Sequence, residues 1–489
     1  MIPPDNTPVP PVPVVPAPAL TPKSPGRLMP RLDLQEKLYR LGIYVLSGCG
    51  VYFIFTAETA DAIHLYLGLL IFVLAAVPGL VWARRSESSF PIFEVFMLTF
   101  VNTYALPLLT GHQQLALYDP DVITKAAVAV LLFQIVAVVT YRGMECRPKQ
   151  TPFWTEEVIS EEYSRFLSYG MTLTTIYTII STFFDVIPYE ALAVLRAVFY
   201  GIGIISTFVT CRRWGAGTLP LHDQYYFVFN LGVQFLFLIS SLFLIAGISL
   251  LVLAMLGYIS GSKRLPYVPL LLLLPVLALL HNGKGAMRAK YWDNSIRPTM
   301  SELPAFFSEW LSQGLPSTEK KDARVTAKLL ERTSLFHIIC LVVARTPAHE
   351  DYLYGETYQD IPGQFVPRYF WPDKPVAHVS TNTLARYYGL QSEEGSKKTT
   401  IAFGMLAEAY ANFGFFGVGC LAFVFSGALR LVTGWGANSP TLSYGGLLLV
   451  MLMAWSFQVE LTLSIWLTSL FQGCVAILGM PLLVRAFGI

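Results

Sequence analysis

Stretches of about 20 apolar residues recur along the chain, and a helix needs about that many to cross the hydrocarbon core of a bilayer. Read on that rule, spans fall near residues 38–57, 64–83, 90–110, 122–141, 163–183 and 190–211. Others fall near 223–242, 244–261, 265–282, 412–432, 441–458 and 460–485. The run 223–261 has almost no polar break and is too long for one ordinary span, so a tight helical hairpin is expected at Ser240–Ser241. Charged residues make up only 13% of the chain, against about 25% in an average soluble protein. A surface that mostly faces lipid accounts for the deficit. The expected fold class is an all-α integral membrane protein with about 12 transmembrane helices.

The positions of the basic residues orient these spans, because short cytoplasmic loops carry an excess of Lys and Arg. Lys23, Arg27, Arg31, Lys37 and Arg40 precede the first span. Arg84–Arg85, then Arg142, Arg147 and Lys149, then Arg212–Arg213, then Lys263–Arg264, then Arg430 and Arg485 mark every second loop or end. The alternate loops carry Glu58 and Asp61, Asp119 and Asp121, and Asp185 and Glu190. Both termini are therefore expected in the cytoplasm, with the break at 240 needed to keep the parity.

Four regions follow: a Pro-rich cytoplasmic tail over 1–35, spans one to nine over 36–282, an outer loop over 283–411, and spans ten to twelve over 412–489. The tail, with its PPVPVVPAPALTP run, has no core-forming periodicity and reads as disordered or polyproline-like. Six cysteines are scattered with no CxxC pair or Cys/His cluster, which excludes a sequence-readable disulfide framework or zinc site. The loop is long enough to be exempt from the positive-inside bias, and its Trp, Tyr, Phe and Pro content argues for order.

That loop holds the candidate chemistry. Lys284 and Arg288, four apart at the outer end of span nine, form a candidate anion clamp; snorkelling of a helix end is the structural alternative. Residues 299–315 place Leu303, Phe306, Phe307, Trp310 and Leu311 on one face of a short interfacial helix. Residues 322–344 read as a further helix with Arg324, Lys328 and Arg332 at four-residue steps. Its apolar stretch 335–344 is too short to span and is expected to pack on the bundle or dip into the membrane, with Arg345 ending it. Within 354–375, four prolines stiffen a segment that carries Arg368 and Lys374, suited to phosphate oxygens, and Tyr354, Tyr358, Tyr369, Phe370 and Trp371, suited to stacking on sugar rings. Glu408, in an otherwise apolar stretch, is expensive to bury and is a candidate general base or a partner for a loop arginine.

Taken in order, Gly283-Lys284-x-x-x-Arg288, Glu331-Arg332-Thr333-Ser334, Gly355-x-x-Tyr358, Val366-Pro367-Arg368-x-x-Trp371-Pro372-x-Lys374-Pro375 and Glu408-x-Tyr410-x-Asn412-Phe413-Gly414 resemble the bacterial oligosaccharide repeat-unit polymerases, the Wzy-type O-antigen polymerases. The motif-bearing match covers 283–417; the other spans are similar in number and hydropathy. The resemblance implies a metal-independent glycosyltransferase, without cofactor, in the bacterial inner membrane. It joins repeat units carried on a polyprenyl diphosphate at the outer, periplasmic face. Cations must then stabilise an anionic diphosphate leaving group, and a base must deprotonate the attacking sugar hydroxyl. On that reading Glu408, Arg288 and Arg368 are catalytic, with His378 and Glu356 as the next candidate bases. Lys284, Arg332, Arg345, Lys374, Tyr358, Trp371 and Tyr410 bind the diphosphate or the glycan. The implied partners are the lipid-linked oligosaccharide, membrane lipids and a chain-length regulator; no nucleic acid is implied.

Other classes remain open. An O-antigen ligase has a similar architecture, and His337, His349 and His378 supply the outer-loop histidines it would use. A flippase or transporter predicts paired broken helices with charges at mid-membrane, whereas the centres of these spans are nearly free of ionisable residues. A non-catalytic scaffold leaves unexplained the concentration of cations and aromatics in one loop.

Overall fold

The structure is a computed structural model, and it describes residues 32–57, 59, 61–85, 90–157, 161–184, 189–242, 244–291, 298–315, 335–366, 370–371, 373–375, 378–398 and 400–487. Among the described residues there is no strand. The principal helices are α1 (Leu32–Thr56), α2 (Ala62–Arg85), α3 (Ile92–Leu109), α4 (Pro120–Gly143) and α5 (Glu161–Phe183). They continue as α6 (Tyr189–Gly215), α7 (Leu221–Ile239), α8 (Leu244–Ser262), α9 (Tyr267–Tyr291) and α10 (Leu303–Gln313). The remainder are α11 (Leu335–Arg345), α12 (Val379–Tyr387), α13 (Gly404–Trp435), α14 (Tyr444–Trp455) and α15 (Leu463–Phe487).

Six of the described helical stretches are long and apolar enough to cross a membrane: Gln35–Thr56, Ala62–Arg85, Ile92–Leu109, Pro120–Gly143, Tyr267–Tyr291 and Gly404–Trp435. Their outer surfaces fit that setting. On α1, Tyr44, Val51, Tyr52 and Phe55 are exposed, and on α9 so are Val268, Leu271, Leu272 and Leu274. Apolar bands of this size are unfavourable in water but not in lipid. The chain is thus an all-helical, multi-pass membrane protein.

Most of the core lies where α2, α3, α4, α11, α13 and α14 meet. Phe93 stacks on Tyr141 with ring centroids 4.0 Å apart, and Phe96 meets Phe425 at 4.9 Å. The ladder of α3 loosens into a π-turn over Val101–Ala105 just before Pro107, which has no N–H to continue it. A second, smaller cluster joins the turn between α7 and α8 to α9 and α10 through Ile239, Leu242, Leu280, Met287, Phe306 and Trp310.

The connections sort onto two ends. At one, Lys149 N–H donates to Trp435 O at 3.0 Å, Arg430 Nε to Met144 O at 2.9 Å, and Arg142 to Pro78 O at 3.4 Å. At the other, Leu353 N–H donates to Ala411 O at 3.0 Å, Gly404 N–H to Glu460 O at 3.0 Å, and the Thr462 hydroxyl pairs with Ser380 and Thr381.

Several boundaries differ from the sequence reading. Helix α1 begins at Leu32, inside the segment assigned to the tail, because Leu32–Arg40 has no Pro or Gly and carries a Glu36–Arg40 pair at four-residue spacing. Helix α9 runs through residue 283 to Tyr291, so the anion-clamp residues belong to the membrane helix itself. Its extension is held by α10, whose Trp310 Nε1 donates to Leu280 O at 2.8 Å. Helix α13 starts at Gly404, eight residues before the expected span. Helix α11 takes the first of its two expected courses and packs on the bundle: Phe336, Ile339, Cys340 and Val342 are fully buried against α4 and α13. The Arg324–Lys328–Arg332 stripe lies outside the described residues, as do Pro367, Arg368, Tyr369 and Pro372.

Candidate functional site

Residues 353–358, between α9 and α13, close on a break in α13. Phe413 (φ −145°, ψ 18°) and Gly414 (φ 60°, ψ −144°) leave helical geometry, and the carbonyls just before the break lose their intrahelical donors. The incoming loop replaces them. Leu353 N–H donates to Ala411 O at 3.0 Å and Tyr354 N–H to Asn412 O at 3.2 Å. Asn412 completes the joint: its Oδ1 accepts from Gly355 N–H at 2.8 Å, and its Nδ2 donates to Thr357 Oγ1 and to Glu408 O, each at 2.8 Å.

Glu408 sits one helical turn before Asn412 and is completely buried. Its Oε2 accepts the N–H of Leu463, the first residue of α15, at 2.7 Å. A helix N-terminus offers an unpaired N–H and the positive end of a dipole, so a carboxyl there is well placed. Thr357 stands beside the carboxyl, while Oε1 has no hydrogen bond of good geometry among the described residues. Tyr358 is near enough to feel the Glu408 charge; burial, then that charge, raises its phenol well above the ordinary tyrosine range. Tyr410 is also buried and packs edge-on against Phe415 at 5.3 Å. Glu408 and Tyr358 are thus brought together, but in the interior of a joint, while Tyr410, two residues along the helix, faces Tyr352, Phe415 and Tyr388 instead.

Arg345 ends α11 and donates to Tyr388 O at 2.9 Å. The Tyr388 hydroxyl pairs with Thr346 at 2.8 Å, and burial pushes its pKa up to about 12. One face of α11 carries His337, whose Nδ1 is 3.1 Å from the Tyr118 hydroxyl of the α3–α4 connection. Burial and the neighbouring His112 lower the pKa of His337 to about 4.

Lys374, a candidate phosphate-binding cation in the sequence, is engaged by backbone carbonyls. Its Nζ donates to Val366 O at 2.6 Å and Gln364 O at 3.2 Å, while Gln364 Nε2 donates to Pro375 O at 3.0 Å. A segment poor in backbone donors leaves carbonyls for a lysine to satisfy, and Lys374 pegs it closed. Trp371 lies over Gly363 with 44% of its surface exposed, and Phe370 is 75% exposed. Glu356 and His378 are exposed.

On α9 the outer extension carries His281, Lys284 and Arg288 on one stripe, each close enough to its neighbour to repel it. Arg288 donates through Nε and one Nη to Leu242 O, at 3.2 and 2.7 Å, and so caps the α7–α8 turn. The amphipathic α10 flanks this stripe, fixed by Lys290–Glu309 at 2.6 Å; that partner holds the Glu309 carboxyl below its usual range. The α9 stripe and the Glu408 joint pack in different hydrophobic clusters.

The sequence pattern pointed to Glu408 but not to the groups that hold it. Thr357 and Leu463 carry no motif of their own; Asn412, four residues after Glu408, was the available signal. Among the described residues, no group of three His, Cys, Asp or Glu is placed to hold a metal ion.

Residues 172–449 match the profile of a family described as Domain of unknown function (DUF8712). The match covers more than half of the chain and takes in the whole of 283–411, so the chain belongs to that family. No curated protein and no solved structure matches it.

Proposed function

We propose that this member of the DUF8712 family is a twelve-span bacterial inner-membrane glycosyltransferase. It polymerises polyprenyl-diphosphate-linked oligosaccharide units at the periplasmic face, with both termini in the cytoplasm. The sorting of connections onto two ends supports the topology. Arg142, Lys149 and Arg430 meet at the end where Pro78, Trp435 and Met144 accept their hydrogen bonds, and residues 353–358 and 380–381 of the outer segment pack at the other.

The observation that carries the chemistry is the basic stripe at the end of an apolar, exposed helix. Leu271, Leu272 and Leu274 of α9 offer a lipid-facing wall for an isoprenoid chain, and Lys284 and Arg288 stand where that chain would end in its diphosphate. Cations fixed there stabilise charge as the glycosidic bond to the leaving diphosphate breaks. Trp371 and Phe370 supply stacking faces for the sugars. Glu408 is sealed under residues 353–358, so the exposed Glu356, next to Thr357, is the better-placed base for the attacking hydroxyl.

A ligase is the second reading, favoured by the exposure of His378. A transporter is disfavoured, because the carbonyls freed by the α13 break are closed by loop N–H groups and do not line a path.

The test is a glycan gel from a host lacking the gene, complemented with wild type, Lys284→Ala, Arg288→Ala or Glu356→Gln. Loss of the high-mass ladder, with single repeat units still attached to their acceptor and the protein at normal abundance, supports the polymerase. Loss of all attached glycan with accumulation of lipid-linked polymer makes the chain a ligase. A ladder unchanged by deletion of the gene overturns both.

A further inference from the structure

At the end of the bundle opposite the proposed active site, α6 and α8 run parallel in backbone contact. A Cβ on Gly257 would lie 2.5 Å from Phe208 O, one on Gly261 2.0 Å from Arg212 O, and one on Gly215 2.3 Å from Tyr258 O. Small residues at four-residue spacing permit this approach, and the parallel register brings both helix C-termini to one level. Their negative dipole ends favour cations. Arg212 and Arg213 occupy the last turn of α6, and Lys263 and Arg264 follow α8 directly.

The cations do more than neutralise the helix ends. Arg212 and Lys263 are close enough to repel each other. Arg212 Nε is buried with no hydrogen-bond partner among the described residues, and so is the hydroxyl of Ser260, which is 4% exposed. Buried donors left without acceptors are costly, and Glu157, the carboxylate whose field reaches Arg212, makes no ion pair with it among the described residues. The same level carries Trp214, edge-on to Tyr258 at 6.0 Å and to Phe227 at 6.2 Å, and such aromatics mark the headgroup zone of a bilayer. Beside them the start of α7 exposes Tyr225, Val228 and Phe229.

We propose that this is a binding site for the phosphate of an anionic phospholipid. Arg212, Lys263 and Ser260 hold the phosphate, and the acyl chains lie along Tyr225, Val228 and Phe229. The site rests on the multi-pass reading alone, not on the proposed transferase chemistry.

Native mass spectrometry of the full-length protein in detergent tests it, with phosphatidylglycerol, phosphatidylethanolamine of the same acyl chains, and inorganic phosphate as probes. A cation near an anionic lipid contributes about five-fold in affinity. The expected result is preferential retention of phosphatidylglycerol, reduced about twenty-five-fold in Arg212→Gln/Lys263→Gln. It should survive in Arg84→Gln/Arg85→Gln, a basic pair outside the site, and return with Arg212→Lys on the wild-type background. Equal retention by the two double variants overturns the proposal. Displacement of the lipid by millimolar inorganic phosphate overturns the lipid assignment and leaves a free-anion site.

Discussion

Replacing Gly414 with alanine tests whether the break in α13 is what docks the outer segment. The backbone there has φ 60° and ψ −144°, a region that residues with a Cβ rarely enter. That strain costs about 1–3 kcal/mol. The added methyl would also lie 2.8 Å from the Tyr352 hydroxyl and 3.2 Å from its ring, and the segment carrying Tyr352 is fixed by the Leu353 and Tyr354 hydrogen bonds. Overpacking of this kind costs about 1–3 kcal/mol more. The two contributions separate in a second variant: Tyr352→Phe removes the hydroxyl contact and leaves the backbone strain. In thermal unfolding of the detergent-solubilised protein, Gly414→Ala should therefore lose about 2–6 kcal/mol. Gly414→Ala/Tyr352→Phe should recover only part of that. The 351–358 segment of Gly414→Ala should also become more sensitive to limited proteolysis, because its acceptors on α13 are disturbed. Wild-type stability and protease resistance in Gly414→Ala would refute the reasoning. Full recovery in the double variant would assign the whole effect to the contact and none to the backbone.

Asn412→Ala should lower stability by about 1–3 kcal/mol, since it strands the Gly355 N–H in a buried joint; abundance and polymer should fall together, unlike in Lys284→Ala. His337 is held mostly neutral by burial, with its pKa lowered from 6.5 to about 4. The unfolded chain then binds the extra proton first, so stability should fall as pH drops below about 6.5 towards about 4. His337→Gln should flatten that part of the curve, and an unchanged pH profile would show that the Tyr118–His337 contact is not sealed. Chelators should leave polymer formation intact in membranes; strict dependence on an added divalent cation would contradict the cation-only stabilisation of the leaving group.

The helical skeleton was legible because lipid imposes one rule on every span: a run of apolar residues of fixed length. The turn at residues 240–242 appears in the structure where polarity rises at Ser240–Ser241, and Arg288 caps it from another helix. What periodicity does not encode is which polar group an irregular stretch will satisfy. Lys374 and Glu408 were both singled out in the sequence as candidate site charges, and both are engaged by backbone: Lys374 by Gln364 and Val366 carbonyls, Glu408 by the Leu463 N–H. Those partners are anonymous in sequence because every residue carries them. The difference matters for mechanism. A base must meet its substrate's proton within hydrogen-bond reach, and a carboxyl with no exposed surface does so only after residues 353–358 lift away, breaking the Leu353, Tyr354 and Gly355 hydrogen bonds at once. Glu356 is exposed without any such opening. The cost that marked Glu408 in the sequence is therefore the cost of joining α13, α15 and the outer segment into one joint, with Glu356 left exposed beside it.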